Sequence, residues 1–515
     1  MPSQQEFLEA IKNGYTFKGE NVKLGRAMLN GNVVDNADIF LPLKTMNRHG
    51  LIAGATGTGK TKTLQLISEY LSDASVPVLL LDIKGDLSGL AAAGALNNSI
   101  DERCKLLNVT YQPSAFPVEF FTLSNAPGVR LRATVSEFGP ILLSKILDLN
   151  DTQSGLVAVI FKYCDDNKLP LLNLQDFIKV LQYVCNEGKT DIQKTYGNIS
   201  TTTSGTILRK VIELQQQGAD IFFGEPSFEV DDLMRVSDDG RGIINILRVT
   251  DMQNHPKLFS TFMLQLLDEL YATSPEEGDL DKPKLVLFID EAHLLFDEAT
   301  KALLDKIETI IKLIRSKGIG IFFCTQNPQD VPASILSQLG LKIQHALRAF
   351  TAADRKTIKQ AAENFPETNF YKTDELLTQM GIGEALVTFL NEKGIPTPLV
   401  HTMLCPPRSR MDILSDAELN AVINKSKLLS KYNQSIDSES AYEILTGKLQ
   451  QAAIVSQQQT EQKNQQSQKV KPQKETSIFD SPMMHQVERT AASVITRSVL
   501  GALGLGGRSR RKSLF

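Results

Sequence analysis

Short, predominantly apolar runs alternate along the chain with longer segments in which apolar residues recur every three or four positions. An apolar run with little polar interruption is typical of a strand that is buried on both faces. Between these runs, segments such as 258–272 and 300–317 have the spacing of amphipathic helices. The alternation predicts an α/β fold with a mainly parallel, doubly wound sheet. The predicted strands cover residues 51–53, 76–81, 243–247, 285–289, 319–324 and 343–347.

A long stretch in the first half of the chain departs from this alternation. It shows helical periodicity and no strong strand, with helices predicted at 141–149, 154–167, 174–186 and 206–217. We interpret residues 133–235 as a helical insertion that divides the core into two parts, 48–132 and 236–405. Ahead of the core, residues 1–47 combine a short helix at 4–13 with short strands. This predicts a small N-terminal β-rich cap.

The C-terminal part of the chain changes composition several times. The last predicted strands, 384–390 and 395–403, are joined by a hairpin-like turn. Residues 406–449 are predicted as a helical extension. Residues 450–480 are rich in glutamine and poor in aromatic residues, which predicts a disordered linker. Residues 481–515 are predicted to form an amphipathic helix with a basic tail, and its weakly charged polar face favours a protein partner over a membrane surface.

Residues 54–61 carry the most specific chemical signal. They match the pattern GxxxxGK[ST] between an apolar strand and a helical stretch, which is the context of a phosphate-binding loop. Glycines allow backbone N–H groups to point inward at phosphate oxygens, next to the positive end of the following helix. Lys60 would bridge the β- and γ-phosphates, and the Thr61 hydroxyl would bind Mg²⁺. The predicted nucleotide-binding residues are Gly54, Ala55, Thr56, Gly57, Thr58, Gly59, Lys60 and Thr61.

A second signal follows the apolar run 285–289, which ends in Asp290 and Glu291. In phosphate-loop enzymes the acid at such a strand end holds Mg²⁺, and a following glutamate orients and deprotonates the attacking water. Two neighbouring carboxylates need a cation beside them, which a magnesium-bound nucleotide supplies. We therefore predict that Asp290 binds the metal and that Glu291 is the general base. The alternative is that both acids start a surface helix.

Several further residues are candidates with an open alternative. Asp86, at another strand end, would approach the metal or cap the next helix. Gln326, after the strand that follows the acidic pair, would sense the γ-phosphate or bind turn backbone. Added arginines stabilise the charge-spread transition state of phosphoryl transfer, and Arg48, Arg348 and Arg355 are candidates for that role. Each would otherwise form a surface ion pair, and the last two would have to reach a neighbouring subunit.

Composition indicates which partners and which cellular compartment fit this chemistry. The 515 residues carry a formal net charge of −4, so nucleic-acid binding would have to depend on local patches. The five cysteines show no paired spacing, which is typical of free thiols in a reducing compartment. No apolar run approaches the length of a membrane span, and no signal-peptide core follows the N-terminus. We expect a cytoplasmic protein without stable membrane insertion.

In combination, these motifs resemble those of the HerA–FtsK class of ATPases, and more narrowly those of the bacterial YjgR-type HerA-like proteins. The phosphate loop alone is not specific to this class, whereas the set of motifs is. The resemblance covers roughly residues 15–405 and extends to the arginine-rich tail. It is carried by the segments 48–61, 81–87, 215–220, 289–293, 325–326 and 344–351.

The resemblance implies a RecA-like motor that assembles as a homo-oligomeric ring, commonly a hexamer, and uses ATP and Mg²⁺ to pump duplex DNA. It makes Arg48 a nucleotide contact and Arg348 an arginine that acts on the neighbouring subunit. The chain departs from HerA proper in its shorter N-terminal cap and in a helical insertion without an obvious lysine and arginine cluster. The resemblance assigns the motor's hydrolytic roles to Lys60, Thr61, Asp290, Glu291 and Gln326.

Three functions remain open from the sequence. The first is an ATP-driven DNA translocase or helicase, paired with a nuclease or another protein. The second is an ATPase that remodels or couples protein partners without a nucleic-acid substrate. The third is a nucleotide-dependent scaffold whose C-terminal helix docks on a partner or a membrane surface. Glu291 and Gln326 favour turnover over binding alone, which weakens the third function.

Overall fold

A single mixed sheet organises most of the chain. The computed structural model describes residues 3–250, 256–278, 280–296, 299, 301–434, 436 and 438–469. Met1–Gly447 form one compact unit, and Lys448–Phe515 form a second. The strands of the sheet are β1 Asn21–Leu29, β2 Asn32–Pro42, β3 Gly50–Ala53, β4 Val78–Asp82, β5 Val118–Thr122, β6 Val129–Arg130, β7 Ile244–Arg248, β8 Leu285–Ile289, β9 Ile319–Thr325, β10 Leu341–Gln344, β11 Glu384–Thr388 and β12 Val400–Leu404.

The order of strands across the sheet is β2-β1-β12-β11-β10-β3-β9-β8-β4-β7-β5-β6. From β10 to β6 all neighbouring strands pair in parallel. The four strands on the other side, β11, β12, β1 and β2, pair antiparallel. The predicted α/β class with a mainly parallel sheet is therefore confirmed.

The central strands are apolar because both faces of the sheet are covered. Every residue of β3, β4, β8 and β9 is buried. In β8, Leu287 and Ile289 pack into one hydrophobic cluster, whereas Val286 and Phe288 pack into the cluster on the opposite face. A strand between two apolar layers has no solvent-facing side, so its sequence shows no alternation of polar and apolar residues.

Helices cover both faces of the sheet and fill the long insertion. Within the described ranges they are α1 Gln4–Gly14, α2 Lys60–Asp73, α3 Asn98–Leu107, α4 Val135–Ile146, α5 Asp151–Asn167, α6 Leu174–Cys185, α7 Lys189–Tyr196, α8 Thr201–Gln216, α9 Ala219–Phe222, α10 Pro256–Thr273, α11 His293–Phe296, α12 Lys301–Ile314, α13 Ala333–Leu336, α14 Ala352–Glu363, α15 Thr373–Gln379, α16 Asp416–Ile423, α17 Leu429–Tyr432 and α18 Ala441–Lys469. None of them combines the length and the apolar composition that a bilayer crossing requires.

The helical insertion is built onto the core. Helices α4 to α9 occupy the region where the sequence predicted helices without a strand. Their buried side chains, such as Phe138, Val157 and Phe177, belong to the same hydrophobic cluster as Leu247 of β7 and Leu287 of β8. The insertion therefore shares a continuous apolar interior with one face of the sheet.

The N-terminal strands extend the sheet, whereas the sequence interpretation separated them as a cap. β1 and β2 form an antiparallel pair, and β1 pairs in turn with β12. Gly25 lies opposite Leu404, and a Cβ atom at Gly25 would overlap the backbone of Met403. The pairing of distant segments through this close approach leaves no local signal in the sequence, which explains the difference.

Residues 450–469 are helical, which corrects the prediction of a disordered linker there. They form most of α18, and no glycine or proline interrupts residues 448–469. Glutamine, alanine, lysine and glutamate favour helices, so a composition too polar for a core of its own still permits a helix. The remainder of the predicted linker and the predicted C-terminal amphipathic helix, residues 470–515, lie outside the described residues.

A buried histidine ties the start of the central strand to its surroundings. His49 precedes β3, its Nε2 donates to the carbonyl oxygen of Ile311 at 2.8 Å, and its Nδ1 accepts from the backbone N–H of Ile321 at 3.1 Å. These bonds fix the neutral tautomer with the proton on Nε2. Burial lowers the pKa of His49 to about 4.

We predict that His49 makes folding stability depend on pH. Its pKa is about 4 in the folded protein and near 6.5 when unfolded, so the unfolded chain binds the proton more strongly. Relative to His49→Gln, which cannot be protonated there, the wild type should lose up to roughly 3 kcal/mol as the pH falls from 6.5 to 4. Denaturant unfolding of both proteins across this range measures the difference. A constant difference would contradict the assignment.

Candidate functional site

The loop between β3 and α2 has the conformation that its glycines allow. Gly54, Gly57 and Gly59 all have positive φ angles, of 152°, 77° and 113°. Side chains other than hydrogen are strained in such conformations, so the spacing of the glycines determines where the backbone turns. The loop then enters α2 at Lys60, with Gly59 as the N-cap residue. Backbone N–H groups at a helix start form a natural site for phosphate.

The two strands that flank β3 hold this loop in place. The Gly54 N–H donates to the carbonyl oxygen of Thr325 at 3.2 Å, at the end of β9. The Ala55 N–H donates to the carbonyl oxygen of Ala346 at 2.8 Å, just after β10. Thr58 closes the turn, because its hydroxyl donates to the carbonyl oxygen of Ala55 at 2.7 Å.

His345 packs against the phosphate loop, a role that was not predicted from the sequence. Its Nε2 lies 2.9 Å from the hydroxyl oxygen of Thr63 in α2. A Cβ atom on Gly54 would lie 2.5 Å from the Cβ atom of His345. Burial, with a smaller effect of the nearby Lys60 charge, lowers the pKa of His345 to about 4. A neutral, buried histidine therefore forms the floor of the loop.

Lys60 is buried in the loop that precedes it. Its ammonium group donates to the carbonyl oxygens of Gly54 at 2.6 Å and Ala55 at 3.3 Å. Burial lowers the pKa of Lys60, and the charge of Lys84 acts in the same direction, whereas Glu291 and Asp290 oppose both effects. Lys60 is thus close enough to the acidic pair to interact with it electrostatically, as the predicted site requires.

One strand, β9, lies between the strand that precedes the loop and the strand that precedes the acidic pair. β9 pairs with β3 on one side and with β8 on the other, so Asp290 and Glu291 follow the second strand from the loop. Asp290 is 7% exposed and Glu291 is 5% exposed. Burial raises the pKa of Asp290 to about 7, and repulsion from Glu291 adds to this effect. The protein alone therefore does not fully stabilise the charge of Asp290.

The end of β4 and the turn that follows it place Asp82, Lys84 and Asp86 at the same edge of the sheet. Asp82 accepts hydrogen bonds from the backbone N–H groups of residues 85, 86 and 87 at 2.7, 3.2 and 3.2 Å. Asp86 accepts from the hydroxyl group of Thr61 at 3.2 Å. The following short helix, Ser88–Ala91, has Leu87 as its N-cap and no side-chain cap. Of the two alternatives for Asp86, the structure favours proximity to the phosphate loop.

Lys84, in the same turn, forms an ion pair with Glu291. Glu291 has a φ of 46°, which is unusual for a residue with a side chain, and its other carboxylate oxygen lies 3.3 Å from Nδ1 of His293. Burial alone would lower the pKa of Lys84, but Glu291 and Asp290 outweigh it and the pKa is raised. This contact was not predicted from the sequence, although a lysine between two acids at a neighbouring strand end was a usable signal.

The remaining candidates fall in different places. Gln326 is exposed directly after Thr325, whose carbonyl oxygen holds the loop. Arg348 and Arg355 are exposed beyond β10. Arg48 lies at the amino end of β3, beside the turn residue Gly394, and therefore at the opposite edge of the sheet from the phosphate loop. The structure does not bring Arg48 to the loop of its own chain, because the whole of β3 separates them.

A cavity of about 260 Å³ opens beside the start of α2. One wall is held by Arg103 of α3, which donates to the carbonyl oxygens of Ile382 at 2.8 Å, Gly383 at 3.0 Å and Leu404 at 3.2 Å. The Gly383 N–H in turn donates to the carbonyl oxygen of Thr58 at 3.0 Å. The lining, which is mainly apolar, consists of Gly59, Lys62, Thr63, Asn97, Ser99, Ile100, Arg103, Ile382, Gly383, residues 404–407 and Met411.

The donors at this edge suit a magnesium ion that arrives with phosphate. Thr61, Asp86 and Asp290 offer hard oxygen ligands, and one oxygen of Asp86 is buried without a hydrogen-bond partner among the described residues. In the described part of the chain, no group of three or more histidine, cysteine, aspartate or glutamate side chains is arranged for a metal. In nucleotide sites Mg²⁺ is held by one or two carboxylates together with the phosphates, so this sparse donor set fits.

We predict that Gly54→Ala is more damaging than Gly57→Ala. Both residues have positive φ, which costs about 1–3 kcal/mol for alanine. Only at Gly54 would the added Cβ also overlap His345, since nothing lies within 4 Å of a Cβ at Gly57. Gly54→Ala should therefore show the lower melting temperature and the weaker binding of a fluorescent ATP analogue. Equal effects of the two substitutions would contradict the packing described above.

Comparisons with known proteins bear on the family and the fold of the chain. The chain is 22% identical over 392 residues to the DNA double-strand break repair helicase HerA of Saccharolobus solfataricus, a match that covers 75% of this chain and 69% of HerA. It is 24% identical over 406 residues to the DNA import protein CedB of Sulfolobus acidocaldarius, a match that covers 78% of this chain and 59% of CedB. The solved structure of the bacterial conjugative coupling protein TrwBΔN70 matches with a TM-score of 0.50 and 13% identity, over 79% of this chain and 94% of TrwB.

The structural match shows a shared fold, because its sequence identity is low. The family evidence comes from the sequence. The family model described as Helicase HerA-like C-terminal matches residues 28–510, which is most of the chain. The resemblance inferred from the motifs is thereby confirmed. The chain belongs to the HerA-like helicase C-terminal family.

Proposed function

We propose that the protein binds ATP at the β3–α2 loop and hydrolyses it. The observation that carries this proposal is the convergence of the phosphate loop, Lys60 and the buried pair Asp290 and Glu291 at one edge of the sheet. Together they match what a triphosphate and its metal need: backbone donors, one cation and two carboxylates.

The chain's own residues divide the work of hydrolysis. The loop N–H groups bind the phosphates, and Lys60 exchanges its carbonyl contacts for phosphate oxygens. Glu291 accepts a proton from the attacking water, and the side-chain amide of Gln326 is proposed to contact the γ-phosphate. Mg²⁺, held by Thr61 and Asp290 with Asp86 beside them, would neutralise the charge that develops on the phosphates.

The cavity beside α2 is proposed to receive the nucleoside. Gly59, Lys62 and Thr63 line it, so it is continuous with the phosphate loop. Its apolar lining suits the faces of a purine ring, and the polar residues at its rim suit the ribose. The anchoring of Ile382, Gly383 and Leu404 by Arg103 keeps this pocket formed before a ligand enters.

Family membership supports a DNA motor as the use of this hydrolysis. The relatives include a protein named as a DNA repair helicase and one named as a DNA import protein. We therefore propose a ring-forming translocase of duplex DNA, with Arg348 of each subunit acting on its neighbour. The net charge of −4 favours a second candidate, an ATPase that acts on protein partners without nucleic acid, since no overall field attracts DNA.

We predict magnesium-dependent ATP hydrolysis that requires two residues in different ways. Lys60→Ala should lose nucleotide binding and turnover, because it removes the cation of the loop. Glu291→Gln should retain binding but lose about 10²–10⁴-fold in kcat, the usual contribution of a general base. Nucleotide titration and steady-state phosphate release measure the two effects. Wild-type protein that neither binds nor hydrolyses ATP would refute the proposed function.

The two motor functions are separated by the response to DNA. A DNA translocase should hydrolyse ATP faster with duplex DNA, and its DNA binding should weaken steeply with salt as phosphate contacts are lost. The ATPase rate is therefore measured across a titration of duplex DNA at two salt concentrations. A rate that does not change with DNA would exclude the translocase and leave the protein-directed ATPase.

We predict that Arg348 acts on the site of a neighbouring subunit. It is exposed in its own chain, a few residues beyond the loop contact of Ala346. Arg348→Ala and Lys60→Ala proteins should each be inactive alone, yet their mixture should regain hydrolysis, because the Lys60→Ala subunit supplies Arg348 to an intact loop. Arg355→Ala, at the other exposed candidate beyond β10, is mixed with Lys60→Ala in parallel, and it should already hydrolyse ATP alone if Arg348 is the arginine that crosses the boundary. A mixture without any gain would show that Arg348 does not act across a boundary.

A further inference from the structure

The carboxylate of Glu291 is buried, yet few groups hold it. In the part of the chain that the structure describes, neither carboxylate oxygen accepts a hydrogen bond of good geometry. Two side chains lie within ion-pair distance, Lys84 and His293. The backbone of Glu291 adopts a left-handed conformation, which directs the side chain away from the path that a regular strand or helix would give. Among the described residues, those two contacts are the ones that orient it.

Lys84 reaches Glu291 from a separate strand, in a turn that is itself fixed. β4 pairs with β8, and Leu81 lies opposite Ile289, so the residues that follow the two strands are neighbours. Asp82 binds three consecutive backbone N–H groups of the β4 turn, which restricts where Lys84 begins. The side chain of Lys84 is 36% exposed and that of Glu291 is 7% exposed. A partly exposed lysine thus closes over a buried glutamate.

We propose that Lys84 is a positioning residue for hydrolysis. Its ammonium group holds the Glu291 carboxylate in the orientation from which it accepts the proton of the attacking water. The water oxygen then bonds to the γ-phosphorus as the bond from that phosphorus to the β–γ bridging oxygen breaks, and ADP leaves with the bonding electron pair. The proposal rests on the proposed ATP hydrolysis and extends it to a residue outside the phosphate loop and the acidic pair. His293 contacts the far oxygen at 3.3 Å and lies two residues from Glu291 on the same segment, whereas Lys84 comes from the separate β4 turn.

The test compares Lys84→Met with Lys84→Arg. Methionine has a similar length without the charge, whereas arginine keeps the cation. Lys84→Met should lower kcat roughly tenfold or more, a part of the 10²–10⁴-fold that a general base contributes. The Kd for magnesium–ATP should stay close to that of the wild type, and Lys84→Arg should retain most of kcat. Melting temperatures check that both variants are folded, since a partly exposed ion pair contributes little to stability.

A double-mutant cycle tests whether Lys84 acts through Glu291. In a Glu291→Gln background, Lys84→Met should cause no further loss of rate in single-turnover hydrolysis of radiolabelled ATP, because the carboxylate is already absent. An unchanged or raised kcat in Lys84→Met would overturn the proposal, as would an equal loss in both backgrounds or a loss confined to ATP binding. If the wild type hydrolyses ATP and requires Lys60 and Glu291, such results reject the role of Lys84 alone.

Discussion

Parallel pairing of the four central strands is the constraint on which the site depends. Parallel neighbours end at the same edge of a sheet, so the segments that follow β3, β9, β8 and β4 must meet there. Those segments are the phosphate loop, Gln326, the acidic pair and the turn from Asp82 to Asp86. No local structure would bring these four segments together. The strands in turn remain parallel and adjacent because apolar layers bury both of their faces.

The same burial determines the electrostatics of the edge. It raises the pKa of Asp82 to about 6 and that of Asp290 to about 7, and it lowers the pKa of Lys60. The pKa values of Asp82, Asp290 and Lys60 are thus shifted towards the neutral forms, mainly by desolvation and, for the two acids, also by repulsion from a neighbouring carboxylate. At Glu291, the ion pair with Lys84 offsets part of the free-energy cost of burying a carboxylate. In a magnesium-bound polyphosphate, the metal would compensate the carboxylates and the phosphates would compensate Lys60. The charged forms of these side chains would therefore be more stable with the ligand bound than without it.

The sequence predicted the elements of this edge better than the contacts between them. The phosphate loop, Asp290 and Glu291 follow from spacing and from apolar strands, which are local features. His345 and Lys84 were missed because their partners, Thr63 and Glu291, are more than 200 residues away in the chain. For the same reason the pairing of β1 with β12 was not foreseen. Residues 450–469 were wrongly predicted as disordered because low hydrophobicity excludes a core of its own, and a helix does not require one.

The antiparallel strands extend the influence of the fold to the cavity beside α2. β12 is held on one side by β11 and on the other by β1, where Gly25 permits a close approach to Met403. The Leu404 N–H then donates to the carbonyl oxygen of Gly383 at 3.0 Å, and Gly383 in turn contacts Thr58 of the phosphate loop. Arg103 of α3 donates to the carbonyl oxygens of Gly383 and Leu404. The N-terminal strands are therefore connected through β12 to the wall of the cavity, and the segment that the sequence suggested was a separate cap helps to shape the proposed ATP site.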